Sequence, residues 1–288
     1  MTIDRILCPV DFSDYSARAY DYAYSLALQY HAKLIVLHSV EPLISIYRDY
    51  ISQPLIDNIF ARQTEEARKI VRQLSEKHGG DVAVDVIVQW GYPSDTILAF
   101  AEDRKADLIV MGTHGRRGLD RVTMGSTTER VLRQASCAVL AVREPVREFV
   151  NPENPERPVH LRKVLCCVDF SEHSPRALEY AFSLAFQYQA EITLLHVQED
   201  GKDEAETLRS VEALIPADAR DWAKPIALVR RGKPYQEIID QASQAQTDLI
   251  VMGVRGRNAV DLLLFGSTTH RVIQLGPCPV LVVPAKTS

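Results

Sequence analysis

At 288 residues with 46% apolar side chains, the chain is long enough for two domains of ordinary size and suits them better than one oversized core. A formal net charge of -5 gives no broad attraction to DNA, RNA or an anionic membrane, which sets nucleic acid aside as a partner. No stretch reaches the roughly 18 to 20 apolar residues of a membrane span, and the opening MTIDRILCPVDFSD puts Asp4 and Asp11 where a signal peptide needs an apolar core, so a cytoplasmic protein is expected.

In chain order, IDRILCPV reads as a short strand bounded by Pro9 and Asp11, and SDYSARAYDYAYSLALQYH repeats its apolar positions every three or four residues, as a helix does. KLIVLHSV follows as the second strand, the run from about Pro54 to His78 as the second helix, DVAVDVIVQW as the third strand, PSDTILAFAEDR as the third helix and DLIVMG as the fourth strand. The last helix runs from about Ser126 to Gln134 and the last strand is AVLAVR. Near-continuous apolar strands alternating with helices imply a five-stranded parallel sheet covered on both faces, a doubly wound α/β domain. The segment LISIYRDYISQPLIDNIF, with Tyr47, Tyr50 and Phe60, stays open between a lid, an interface patch and core packing of the second helix.

The same unit then recurs. Residues 3–40 and 161–198 are identical at 19 of 38 positions, including LCPVDFS against LCCVDFS. DLIVMGTHGR against DLIVMGVRGR and GSTTERV against GSTTHRV repeat at a shorter offset, so the second copy lacks about 17 residues between His196 and Gly232, where its second helix is expected to be short. Between the copies, Pro145, Pro152, Pro155 and Pro158 stand among charges, a composition that favours extended, exposed backbone. The expected division is 1–145, a linker at 146–160, and 161–288. Five cysteines without a CxxC pair make a disulfide framework improbable; the vicinal pair Cys166 and Cys167 is the one redox candidate, and strand alternation would point its side chains to opposite faces.

Open sheets of this kind hold ligands outside the carboxyl ends of their strands. The first strand ends in Asp11, Phe12 and Ser13, the second in His38, Ser39 and Val40, and the fourth in Met111, Gly112, Thr113, His114 and Gly115. Gly112, Gly115, Gly125 and Ser126 form G-x2-G-x9-G-S, repeated by Gly253, Gly256, Gly266 and Ser267. Glycine lets the backbone approach a phosphate, and Ser126 and Ser267 begin helices whose N–H groups and positive dipole end favour an anion. Asp11 and Asp169 can accept hydrogen bonds from a base amino group or a ribose hydroxyl, or cap a turn. Ser126 with Glu129 also reads as a capping box, although the second copy has His270 in place of Glu129 while keeping GSTT. Arg116, Arg117 and Arg257 either pair with phosphate oxygens or face water. His38 and His196 read as satisfied polar residues at strand ends, not catalysts.

VDFS after the first strand, LHS or LHV closing the second, and the glycine spacing together resemble the universal stress protein family over nearly the whole chain. The resemblance implies two tandem Rossmann-like domains of the adenine nucleotide alpha hydrolase-like kind, and the glycine motif marks the branch of the family that binds ATP. Carried over position by position, it implies that Asp11 and the backbone at Ser39 face adenine with Pro9 near them, that Met111, Gly112 and Gly115 face ribose and phosphate, and that Gly125, Ser126 and Thr127 face phosphates. The matching residues of the second copy are Asp169, Val197, Met252, Gly253, Gly256, Gly266, Ser267 and Thr268, and Arg116 and Arg257 are candidates for the phosphates in the two loops. Cys167 in place of Pro9, Ala259 in place of Gly118 and Arg255 in place of His114 are departures of the second copy, so the two loops need not close on phosphate alike. The family's final strands, here CAVLAVRE and CPVLVVPA, pair antiparallel across a dimer, so the two copies are expected to form that contact within one chain as a pseudo-dimer; a homodimer and a protein partner are left open. No Walker lysine, GxSxG elbow, SGGxDS loop or HxxxH pair occurs. The expected function is a stress-response protein that binds ATP, with Mg²⁺ across the phosphates, as a regulatory or protective module. A slow ATPase or phosphotransferase, and a scaffold with one copy empty of nucleotide or holding another small ligand, are the alternatives.

Overall fold

A computed structural model describes residues 2–41, 52–76, 82–114, 124–143, 147–154, 156–171, 174–199, 201, 203–254 and 266–284. The first half runs β1 (Arg5–Pro9), α1 (Asp14–Tyr30), β2 (Lys33–Val40), α2 (Gln53–Glu76), β3 (Val84–Trp90), α3 (Pro93–Asp103), β4 (Leu108–Gly112), α4 (Ser126–Gln134) and β5 (Ala138–Val142). The second half repeats the order as β6 (Lys163–Cys167), α5 (Ser174–Tyr188), β7 (Glu191–Gln198), α6 (Glu204–Glu212), the single turn α7 (Ala219–Trp222), β8 (Ile226–Arg231), α8 (Pro234–Gln244), β9 (Leu249–Gly253), α9 (Ser267–Leu275) and β10 (Val280–Val283). The missing residues fall where expected, since α2 has 24 residues and α6 has 9.

The strands form one ten-stranded sheet in the order β3-β2-β1-β4-β5-β10-β9-β6-β7-β8. Pairing is parallel within each half, and β5 meets β10 antiparallel, with Leu140 opposite Leu281. Alternation sorts the strand residues onto two faces: Ile6 and Cys8 pack with α1 on one, while Leu7 packs with the α3 and α4 side on the other. Cys166 and Cys167 obey the same rule and lie on opposite faces. All five cysteines are free thiols, and burial pushes Cys137, Cys166 and Cys278 up to about 12, which keeps them protonated and unreactive.

Local chemistry fixes the element ends. Ser13 Oγ accepts the N–H of Ser16 at 3.3 Å to start α1, and His31, in the left-handed region at φ 54°, ends it. Asp107 accepts the N–H groups of Asp4 and Arg5 at 2.8 and 2.9 Å, and Asp248 does the same for Arg162 and Lys163, so both halves tie β4 or β9 to the start of the first strand.

Most described residues of the segment between the halves are exposed or half-buried, but three apolar side chains in it are not. Phe149, Val150 and Val159 are buried in the same core cluster as α1 and α5, Phe149 meets Tyr22 edge-on at 5.0 Å, and His160 N–H donates to Phe149 O at 2.8 Å. Prolines and charges set the composition of this stretch, but its few apolar side chains decide where it lies, because each gains about 1.5 to 3 kcal/mol on burial.

Candidate functional site

In each half the strand order reverses between the first strand's two neighbours, and the crevice opens above the carboxyl ends at that point. A cavity of about 620 Å³ occupies it in the first half, a size typical of small-molecule sites. Pro9, Asp11, Ser39, Met111, Gly112, Gly125, Ser126 and Thr127 all line it. Gly115 and Arg116, with Gly256 and Arg257, lie outside the described residues, as do Tyr47 and Tyr50.

At the end of β1 the chain turns sharply. Phe12 has φ 63° and its repeat partner Phe170 has φ 59°, a conformation costly for a bulky residue and worth about 1 to 3 kcal/mol of strain. Three contacts hold each turn. Asp11 Oδ1 accepts from Ser13 N at 3.1 Å and Ser13 Oγ at 2.6 Å, and Asp169 Oδ1 accepts from Ser171 N at 3.0 Å and Ser174 Oγ at 2.6 Å. The phenyl rings lie against His38 and His196, with centroids 4.4 and 4.8 Å apart. Each histidine donates Nδ1–H to a main-chain carbonyl, of Val10 or Val168, at 2.8 Å. The histidines are therefore bracing groups of the turn, and Asp11 is a turn-former as well as a cavity residue.

β2 contributes Ser39, which lines the cavity and whose Oγ donates to Gly91 O at 2.8 Å, so that the hydroxyl is spent on the turn into α3. Val197 cannot make that bond in the second half. At the end of β4, Gly112 has a packing reason to be glycine: a Cβ there would stand 2.9 Å from the backbone C and O of Tyr15. Thr128 Oγ1 donates to Gly112 O at 2.9 Å, and Gly125 N donates to Thr113 O at 2.9 Å, which stitches the start of α4 onto the end of β4. Thr269 Oγ1 and Gly253 O repeat the first of these at 3.3 Å.

The start of α4 corrects one expectation. Gly125, extended at φ -64° and ψ 140°, is the N-cap, and no side chain caps the helix, so Ser126 is the first helical residue and the S-x-x-E pattern forms no capping box. The first intrahelical bond is Glu129 N to Gly125 O at 3.0 Å, which leaves the N–H groups of Ser126, Thr127 and Thr128 ahead of it, on residues that line the cavity. α9 begins the same way, with Gly266 as an uncapped N-cap. Asp169, Val197, Met252, Gly253, Gly266, Ser267 and Thr268 thus sit at strand ends and a helix start equivalent to those of the first half.

The wall from α2 and Glu41 carried no recognised signal. Gln63, Glu66, Ala67 and Ile70 form one stripe of α2 at helical spacing and wall one side; their mixed polarity reads in sequence as a solvated face. Glu41 lies just past β2. His114, between two motif glycines, is buried, and burial and then the charge of Arg143 hold its imidazole below the usual value.

Comparison with known proteins agrees with this geometry. The profile of the Universal stress protein family matches residues 2–143 and again 160–284. Universal stress protein MJ0531 of Methanocaldococcus jannaschii is 36% identical over 146 residues, covering 50% of this chain and 84% of that one. A universal stress protein of Mycolicibacterium smegmatis is 27% identical over 299 residues, covering 96% of both chains. Among solved structures, a universal stress protein of Archaeoglobus fulgidus superposes with a TM-score of 0.76 at 25% identity, covering 99% of this chain and 97% of that one.

Proposed function

Because the chain belongs to the universal stress protein family, which it carries as two tandem copies, we propose that it binds ATP at the strand ends of one or both repeats and acts as a nucleotide-dependent regulatory or protective module in the cytoplasm. The observation that carries this reading is the first-repeat cavity of about 620 Å³ set against an uncapped helix start. Asp11 and Ser39 line it at the ends of β1 and β2, where a purine edge would meet a hydrogen-bond acceptor and main-chain groups. The N–H groups of Ser126, Thr127 and Thr128 lie at the other end, where the helix dipole favours the phosphates.

Mg²⁺ fits the donor chemistry at the phosphate end, where the lining offers the hard hydroxyl oxygens of Ser126 and Thr127. Among the described residues no cluster of three or more metal-ligating side chains exists, so the ion would arrive on the phosphates. It would supply charge neutralisation on the phosphates, while the chain's own part is to orient the phosphates on main-chain amides and seat the base against the turn after β1. The ladder joining Leu140 to Leu281 supports an intramolecular pseudo-dimer of the two units. Native mass spectrometry of the chain as purified tests the reading: a mass increment matching ATP is expected, and an empty chain that also fails to take up added ATP with Mg²⁺ would refute it.

A further inference from the structure

We propose that His114 is an anion-contacting side chain of the first-repeat cavity and takes up a proton from solvent when phosphate binds, so that nucleotide binding there strengthens as pH falls. The inference rests on the nucleotide reading and concerns how that same site is regulated.

His114 lines the cavity and is only 6% exposed, next to Thr113, whose carbonyl accepts from Gly125 N at 2.9 Å. Its Nδ1 lies 2.8 Å from Thr113 Oγ1, and its ring packs on Tyr15 with centroids 4.9 Å apart. The remaining polar atom, Nε2, is buried and has no hydrogen-bond partner among the described residues. Leaving such an atom unsatisfied costs about 1 to 3 kcal/mol, so a partner from outside the protein is the economical resolution. Its neighbours point to that partner: an uncapped helix start offers donors and a positive dipole end, which favour an anion.

The Thr113 hydroxyl sets the tautomer. When it donates to Nδ1, the neutral ring carries its proton on Nε2 and can donate to a phosphate oxygen; when the ring is protonated, the hydroxyl rotates and accepts from Nδ1–H. Both charge states are therefore accommodated without moving the ring. The groups that face His114 among the described residues are Tyr15 from α1, Thr113 beside it and Arg143 beyond β5, whose guanidinium also donates to Gln274 O. Burial and the Arg143 charge favour the neutral ring in the ligand-free chain, and phosphate oxygens at the helix start oppose both effects. In the second repeat Val254 and Arg255 stand at the positions of Thr113 and His114, so the device is confined to the first, an arginine being charged throughout this pH range.

The test is calorimetry on the full chain with ATP and with adenosine, between pH 6 and pH 8, in buffers of low and high ionisation enthalpy, for the wild type, His114→Gln and His114→Arg. Protonation of ATP itself is common to all three proteins, so the difference between them isolates His114. The wild type is expected to take up more protons with ATP than His114→Gln does, with an affinity gain toward pH 6 that exceeds the variant's by up to about tenfold for a one-unit rise of the imidazole value. Adenosine should show no such difference, and His114→Arg should bind ATP without the extra pH dependence. ¹⁵N NMR of the wild-type imidazole gives a reading independent of any variant, and ATP should raise its titration midpoint. Equal proton uptake in wild type and His114→Gln, with an imidazole midpoint that ATP leaves unmoved, would overturn the proposal while sparing the nucleotide reading; no ATP binding by any protein at any pH would overturn both.

Discussion

Asp11 does two jobs, and substitution can separate them. Asn at this position keeps an acceptor for Ser13 N and Oγ but loses the charge, so Asp11→Asn should leave the melting temperature nearly unchanged while weakening ATP binding. Asp11→Ala should do both: it removes the acceptor from a turn that already holds Phe12 at φ 63°, at a cost of about 1 to 3 kcal/mol in stability. Differential scanning calorimetry beside a binding titration checks the pair, and equal loss of stability in both variants would confine Asp11 to the turn. Gly112→Ala presses a Cβ into the Tyr15 backbone and should destabilise by about 1 to 3 kcal/mol through overpacking. His114 adds a pH term to the ligand-free chain. Its folded value is depressed, so the unfolded chain binds more protons below the ordinary histidine value of about 6.5, and stability should fall as pH drops through that window. His114→Gln should flatten that part of the profile of melting temperature against pH.

The start of α4 is the element on which the site turns. A side chain at the N-cap would satisfy the same amides that are assigned to phosphate, so Gly125→Asp should raise or hold the stability of the ligand-free chain, by a few tenths of a kcal/mol, and abolish ATP binding at the first repeat. Few substitutions separate helix stability from ligand binding so cleanly. The sequence made the position of this helix legible, because STTERVLRQ and the glycine before it mark its start. It did not make the cap legible: S-x-x-E fits a capping box in pattern, and only the extended backbone of Gly125 shows that the helix begins one residue earlier in register than that pattern requires. The stripe Gln63, Glu66, Ala67, Ile70 escaped for a related reason. Helical spacing reveals that residues share a face, but a mixed face gives no sign of whether it meets water or a cavity.

At the scale of the whole molecule, strand periodicity and the internal repeat anticipated two α/β units, and the sheet joins them through β5 and β10. The burial of Phe149, Val150 and Val159 was not anticipated, since the prolines and charges around them outweigh these three side chains in composition but not in burial. A charge at the seam should expose how far the halves depend on each other. Leu281→Asp buries a carboxylate opposite Leu140 and should lower stability by about 3 kcal/mol or more, replacing one cooperative unfolding transition by two. A single unshifted transition would mean that the seam contributes little. The central claim, that amides bared at the start of α4 hold the phosphates of ATP, is tested most directly by titrating the wild type, Gly125→Asp and Gly266→Asp with ATP and Mg²⁺. First-repeat binding should be present in the wild type and in Gly266→Asp and absent in Gly125→Asp; ATP binding that survives unchanged in Gly125→Asp carrying Gly266→Asp as well would contradict it.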